Sequence, residues 1–130
     1  MTDVGSRFVA ALAAKDTEAL LGIFASAVSF RGMTPGRFWE VNSPVKLVED
    51  VLYEWFDPDD IIEAVEHIEV GKLVDRQRVV YRFRVRNDNG VHRVEQCAYF
   101  DLDDEGRVSR MNVMCSGFRP VGDAPRPEAA

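Results

Sequence analysis

Apolar residues recur at helical spacing twice near the start of the chain. In "VGSRFVAALAAKD", Val4, Phe8, Ala11 and Leu12 fall on one stripe, which predicts a helix. Asp16-Thr17 then caps a second helix, "TEALLGIFA", with Leu20, Leu21 and Phe24 turned inward. "AVSFRG" predicts a short strand, and "MTPGRFWEVNSP", with its two prolines and a glycine, predicts a loop. Ser43-Pro44 opens a third helix as N-cap and first helical residue. That helix brings Leu47, Val48, Val51, Leu52 and Trp55 to one side before Asp57-Pro58 ends it.

Beyond Pro58 the pattern is strand-like. Four strands are expected, at about 61–74, 77–87, 91–103 and 107–118, joined by "VDRQ", "NDNG" and "DDEG", all hairpin-turn chemistry. Three N-terminal helices followed by four antiparallel strands predict an α+β domain, with the helices packed on one face of a curved sheet. The chain of 130 residues suits a single domain over 1–120, with a flexible Pro- and Ala-rich C-terminal tail at 121–130.

Turn positions fix which residues share a sheet face. With turns centred on Asp75-Arg76, Asn89-Gly90 and Glu105-Gly106, Ile68 opposes Phe83, Phe83 opposes Gln96, and Gln96 opposes Cys115. Tyr81, Ala98, Phe100, Met111 and Val113 join this mostly apolar face, which should meet the helices. The other face holds Arg82, Arg84, Glu95, Cys97, Tyr99, Asn112 and Met114, with Glu95 opposite Arg84 and Asp101 opposite Arg110. Cys97, Met114, Tyr99 and Val80 form an apolar patch there, which predicts a homodimer through the outer sheet face.

Charge narrows the partners. The net charge of −6 opposes nucleic-acid binding, which calls for a basic stripe. No apolar run nears the ~20 residues that span a bilayer, so no membrane role is expected. The N-terminus shows no signal-peptide pattern, and two cysteines make no disulfide framework, so the expected location is cytoplasmic. Two histidines and two cysteines without ligand spacing predict neither a metal site nor a cofactor.

The stretches "RFVAALAAKDTEALLGIFASAVSFRG" and "AYFDLDDEGRVSRMNVM" resemble the nuclear-transport-factor-2-like superfamily, across roughly residues 4–118. This cone-shaped fold includes steroid delta-isomerases, SnoaL-like polyketide cyclases, scytalone dehydratase and limonene epoxide hydrolase. The front resembles the steroid isomerases helix for helix. Their chemistry needs a carboxylate base, a tyrosine and a protonated aspartic acid. The resemblance sets Gly32, Phe8 and Ala98 at those three places, so typical ketosteroid isomerisation is not expected. Nor do the residues place an epoxide hydrolase's Asp-Arg-Asp relay, or a dehydratase's histidine and aspartate, inside the cone.

The remaining candidates are polar residues that fall inside. Glu66 shares a predicted face with Ile62, Ala64, Ile68 and Val70, where an inward carboxylate can act as acid or base; a bulge or an open strand end would instead leave it in water. Gln96 can orient a substrate, or bond to Tyr81 as a buried amide. Tyr81 can donate its phenol, or serve as core. His92 is expected at a solvated rim. In the loop, Trp39 can wall the pocket mouth, with Arg37 or Glu40 supplying polarity; alternatively Trp39 plugs the core and Arg37 pairs with Glu40 or Asp50. Cys115 is expected as a small buried hydrophobe rather than a nucleophile.

Two functions fit. One is a small-molecule site lined by Trp39, Arg37, Phe83, Gln96, Phe100, Met111, Val113 and Cys115, with cofactor-free acid/base chemistry of isomerase, cyclase, dehydratase or hydrolase type by Glu66 or Glu40 and Tyr81. The other is a non-catalytic ligand-binding or dimeric interaction module. A carboxylate inside the pocket separates them.

Overall fold

The computed structural model describes residues 3–122. Asp3 caps helix α1 (Val4–Ala14), its carboxylate accepting the Ser6 N–H at 2.9 Å. Lys15 ends α1 in a left-handed conformation, and Asp16 caps α2 (Thr17–Ile23) by accepting from the Ala19 N–H at 3.1 Å. The apolar stripes do what their spacing predicts: Phe8, Val9, Leu12 and Leu20 are buried.

The next segment departs from expectation. The short strand is an 11-residue strand, β1 (Phe24–Thr34), which takes Phe24 from the end of the predicted helix. The expected loop is a hairpin, in which β2 (Arg37–Val41) returns along β1 with Thr34 opposite Arg37. Pro35 and Gly36 are its turn, Gly36 accepting a φ of 79° that residues with a Cβ resist. Helix α3 follows over 44–55. Ser43 caps it, and its middle, Leu47–Leu52, is π-helical. The wider turn still buries Leu47, Val48, Val51 and Leu52 together. Two helices are therefore N-terminal, and the third lies between β2 and β3.

Four long strands follow: β3 (Ile61–Leu73), β4 (Arg76–Asn87), β5 (Gly90–Leu102) and β6 (Val108–Cys115). They do not stand alone as a meander. The sheet order is β2-β1-β6-β5-β4-β3, with β1 parallel to β6 and all other neighbours antiparallel. Register shifts interrupt β1–β6, β3–β4 and β5–β6, and such bulges bend the sheet around the helices.

Pairing of β5 with β6 is as expected, with Gln96 opposite Cys115 and Phe100 opposite Met111. The other two hairpins turn one residue earlier than predicted. Gln96 thus faces Tyr81 rather than Phe83, Ile68 also faces Tyr81, and Glu95 faces Arg82 rather than Arg84. A slip of two leaves the faces unchanged. Tyr81, Phe83, Ala98, Phe100, Met111 and Val113 are all buried under the helices.

The last strand was expected to run to 118. It ends at Cys115, and Gly117, at φ 77°, turns the chain back. A two-residue strand, β7 (Arg119–Pro120), then pairs with His92 and Arg93 of β5. The Val121 N–H donates to the Val91 carbonyl at 2.8 Å, so this end of the expected tail is tied to the sheet; 123–130 lie outside the described residues. Among the described residues no helix is long and apolar enough to cross a membrane.

Candidate functional site

Polar groups inside the cone converge on β4 and β5. Tyr81 and Gln96 are direct partners across these strands, and both are buried. The Tyr81 hydroxyl donates to Gln96 Oε1 at 2.6 Å. This uses the phenol and leaves the Gln96 Nε2 donor with no protein partner. Burial pushes the Tyr81 phenol well above its ordinary range, with the Cys115 and Cys97 thiols adding to the rise. It is therefore a neutral hydrogen-bond donor at any pH the fold meets in ordinary conditions.

Aromatic rings surround the pair. Phe8 meets the Tyr81 ring edge-on at 6.0 Å, and Phe83 lies 5.2 Å away. Phe83 in turn meets Phe56, and Phe56 meets Phe118 of the returning C-terminal segment at 5.9 Å. Phe118 also covers His92, so this histidine is buried rather than solvated at a rim, and its Nδ1 has no protein partner. Gly117 touches Pro35 of the β1–β2 turn, so the C-terminal segment lies against that hairpin.

Trp55, from the end of α3, packs on Phe30 at 5.9 Å and on Gly32. It is buried, and its Nε1–H has no protein acceptor. Trp39 is half-buried and meets Trp55 edge-on at 6.0 Å, while its own indole N–H donates to the Thr34 hydroxyl at 2.8 Å. Arg37 stacks on the outer face of Trp39, 3.5 Å from the ring centre, instead of pairing with Glu40. Trp39 thus braces Trp55 from outside, and Arg37 does not reach the interior.

The two candidate carboxylates face away from this interior. Glu66 bonds Arg93 at 2.8 Å and lies 3.9 Å from Arg84. Register shifts after Ile62 and after Val65 put Ile62, Val65 and Ile68 opposite the inward residues of β4, with Glu66 at the second irregularity. The predicted inward face of Glu66 is therefore wrong. Glu40 accepts from Arg31 at 3.0 Å on the outer surface, with both side chains more than half exposed. The one buried carboxylate among the described residues, Asp60, is fully engaged: it accepts from the Asn87 amide and from the Asp57 N–H.

Phe83, Phe100, Met111 and Val113 belong to the main core, and Cys115 packs partly buried against it. The Cys115 sulfur accepts the Gly117 N–H at 3.3 Å, a local tie that holds the start of the return segment. Sequence reasoning missed Trp55 as a polar group, and it missed the cover formed by Phe56 and Phe118. The only trace of that cover in the sequence was the short apolar "GFRPV" after the last strand.

No family model matches this chain, and no curated protein does. Solved structures do. A proposed isomerase from Bacillus subtilis superposes with a TM-score of 0.72 at 11% identity, covering 87% of this chain and 84% of that one. The fold is the nuclear-transport-factor-2-like cone. A protein of ketosteroid isomerase-like fold from Catenulispora acidiphila, in complex with trimethylamine, gives 0.66 at 13% identity over 88% of each chain. A proposed SnoaL-like polyketide cyclase from Shewanella denitrificans gives 0.63 at 10% identity over 87% of this chain and 88% of that one.

Within this cone fold, the three places that the steroid-isomerase resemblance marks carry no ionisable group. Phe8 is core, Ala98 is buried on β5, and Gly32 lies under Trp55. Among the described residues, no three His, Cys, Asp or Glu gather where they would hold a metal ion.

Proposed function

We propose that the cone interior binds one small, largely apolar molecule carrying a hydrogen-bond acceptor such as a carbonyl or ether oxygen. The observation that carries this reading is the Gln96 Nε2 donor, buried beside Tyr81 and without a protein partner. An orphaned buried donor costs about 1–3 kcal/mol, and a ligand acceptor removes that cost. Trp55 Nε1 and His92 Nδ1 are further orphaned groups in the same interior. The aromatic walls supply the apolar contact. Trp39 and Phe118 are the covers whose displacement admits the ligand.

Binding is favoured over catalysis because Glu66 and Glu40 are tied to arginines outside. Any acid/base step of isomerase, cyclase, dehydratase or hydrolase type then rests on the Gln96 amide, held by the Tyr81 hydroxyl, as a neutral donor that polarises a substrate oxygen, without a cofactor. Solved neighbours named as isomerase and polyketide cyclase support such chemistry. The complex of one neighbour with trimethylamine supports a small ligand as the occupant. Replacing Gln96 with Leu tests the reading: it should remove binding while the fold survives.

A second reading concerns assembly, and the exposed side chains of the outer face support it. Met33, Phe38 and Met114 are 47%, 56% and 57% exposed, and they adjoin Cys97 and Tyr99 in one groove. Around them the outer face is made of arginine–glutamate pairs satisfied within the chain: Arg82–Glu95, Arg78–Glu69 and Arg86–Glu63. A second copy of the chain, docked through this apolar patch, is the occupant we propose.

A further inference from the structure

The outer face carries a second feature, next to the apolar patch and separated from the cone interior by the sheet. Three arginines line a cavity of about 210 Å3 with Ser29 and Asn112. The strand register builds it. On the parallel pair β1–β6, Ser29 lies opposite Arg110 and Arg31 opposite Asn112. These residues alternate outward, so all four side chains share one face. Arg76, at the start of β4, reaches over β5 to join them, and its Nε donates to Asp101 Oδ1 at 3.1 Å.

The charges around this cavity do not balance. Arg31 is paired with Glu40 and Arg76 with Asp101, but Arg110 has no ion pair among the described residues. Asp101 lies opposite Arg110 in register, yet its carboxylate accepts from Arg76. More telling is the other end of Arg76. Its Nη2 is shut off from solvent and meets no protein acceptor. A guanidinium nitrogen left in this way costs more than a neutral donor, because the group is charged. In a chain of net charge −6, three arginines around one cavity are not the product of a generally basic surface.

We propose that this cavity binds a tetrahedral oxyanion, a phosphate group either free or carried as a monoester. The donors match that shape. Guanidinium forks from Arg76 and Arg110 meet phosphate oxygens in paired bonds, and the Ser29 hydroxyl and the Asn112 amide add neutral donors. The volume corresponds to about seven waters, enough for a phosphate with a small substituent. Arg31 closes the side toward β2. Because Asn112 also borders the apolar patch, the anion sits at the edge of the surface proposed for the second copy.

The test is calorimetric titration of the full chain at low ionic strength, with inorganic phosphate and separately with phenyl phosphate. One saturable site per chain is expected, weakened by added sodium chloride. Arg110→Gln should weaken it about tenfold, the loss of one charge-assisted bond. That side chain is exposed and unpaired, so the variant should keep the wild-type melting temperature. Ser29→Ala should weaken binding a fewfold. Tighter binding of phenyl phosphate would assign a monoester, and equal binding would assign the free ion; both support the site. Absence of saturable binding for either probe would overturn it. So would equal affinity in wild type and Arg110→Gln. A change of sedimentation coefficient in Arg110→Gln with no phosphate effect would also overturn it, and would assign the arginines to contact with another chain.

Discussion

A Cβ added to Gly32 would lie 2.8 Å from two carbons of the Trp55 indole. No ordinary contact is that short, so the ring occupies the place where any side chain at position 32 would go. The resemblance to steroid isomerases sets their catalytic base at this position. Here the base is missing, and the volume it would need is filled by an aromatic ring from α3.

Gly32→Ala should therefore destabilise the fold by about 1–3 kcal/mol, the usual cost of overpacking a rigid site. The cost should shrink in a Trp55→Phe background, because the smaller ring lacks the carbons in conflict. Urea unfolding of the two single variants and the double variant checks this. Additive costs would mean that the two side chains do not meet.

Tyr81→Phe should cost about 1–3 kcal/mol at neutral pH, since Gln96 Oε1 loses its donor inside the cone. The pH dependence has a definite sign. Burial raises the Tyr81 pKa in the folded state above the ordinary value of 10.0. The folded state thus holds this proton more tightly than the unfolded state does. The stability it brings is complete below about pH 10 and is lost as pH rises past that value. Unfolding curves from neutral to strongly alkaline pH should show a steeper loss for wild type than for Tyr81→Phe. Parallel losses would mean that the phenol is open to water.

How much of this was legible in the chain depended on the turns. Gln96 lies opposite Cys115 as expected, but the pair next to the turn, Leu102 with Val108, is centred half a residue earlier, and an irregularity between Asp101 and Leu102 restores the expected register. The β3–β4 turn was misplaced because its left-handed residue is Val74, at φ 59°, a conformation that β-branched residues rarely adopt. The β4–β5 turn was misplaced because Gly90 opens β5 at a positive φ instead of sitting at the turn centre. Both errors preserve the faces, so Tyr81, Phe83, Ala98, Phe100, Met111 and Val113 are buried as expected, but Ile68, expected on the same face, is 42% exposed because the helices leave β3 largely uncovered. Glu66 was lost to the irregularities in β3, whose sequence "IIEAVEHIEV" alternates plausibly in either register. Trp39 and Arg37 were read as loop residues because Pro35 and Gly36 mark a loop and a tight hairpin equally well. The resemblance in the helices and last strands pointed to the fold, but it said nothing about Phe118 closing on Phe56.

Glu40→Gln should change stability by less than about 1 kcal/mol, because its pair with Arg31 faces solvent, and Glu66→Gln by about 1–2 kcal/mol, because its carboxylate is largely covered between Arg93 and Arg84. Neither should alter what the interior binds. Loss of a bound molecule in either variant would show that the carboxylate reaches the cone.

Met114→Arg should convert the proposed dimer to a monomer, because it sets a charge in the centre of the exposed Met33, Phe38 and Met114 patch. Sedimentation velocity of wild type and variant reads this directly. A dimer unchanged by the substitution would exclude this patch as its interface.

A small molecule held in the cone interior against Gln96 and Tyr81 would add its mass to the chain. The most direct measurement is a native mass spectrum of the purified chain beside a denatured one, for wild type and for Gln96→Leu. An excess mass is expected in native wild type that disappears on denaturation and is absent from the variant. A bare chain mass in native wild type, or the same excess mass in Gln96→Leu, would contradict it.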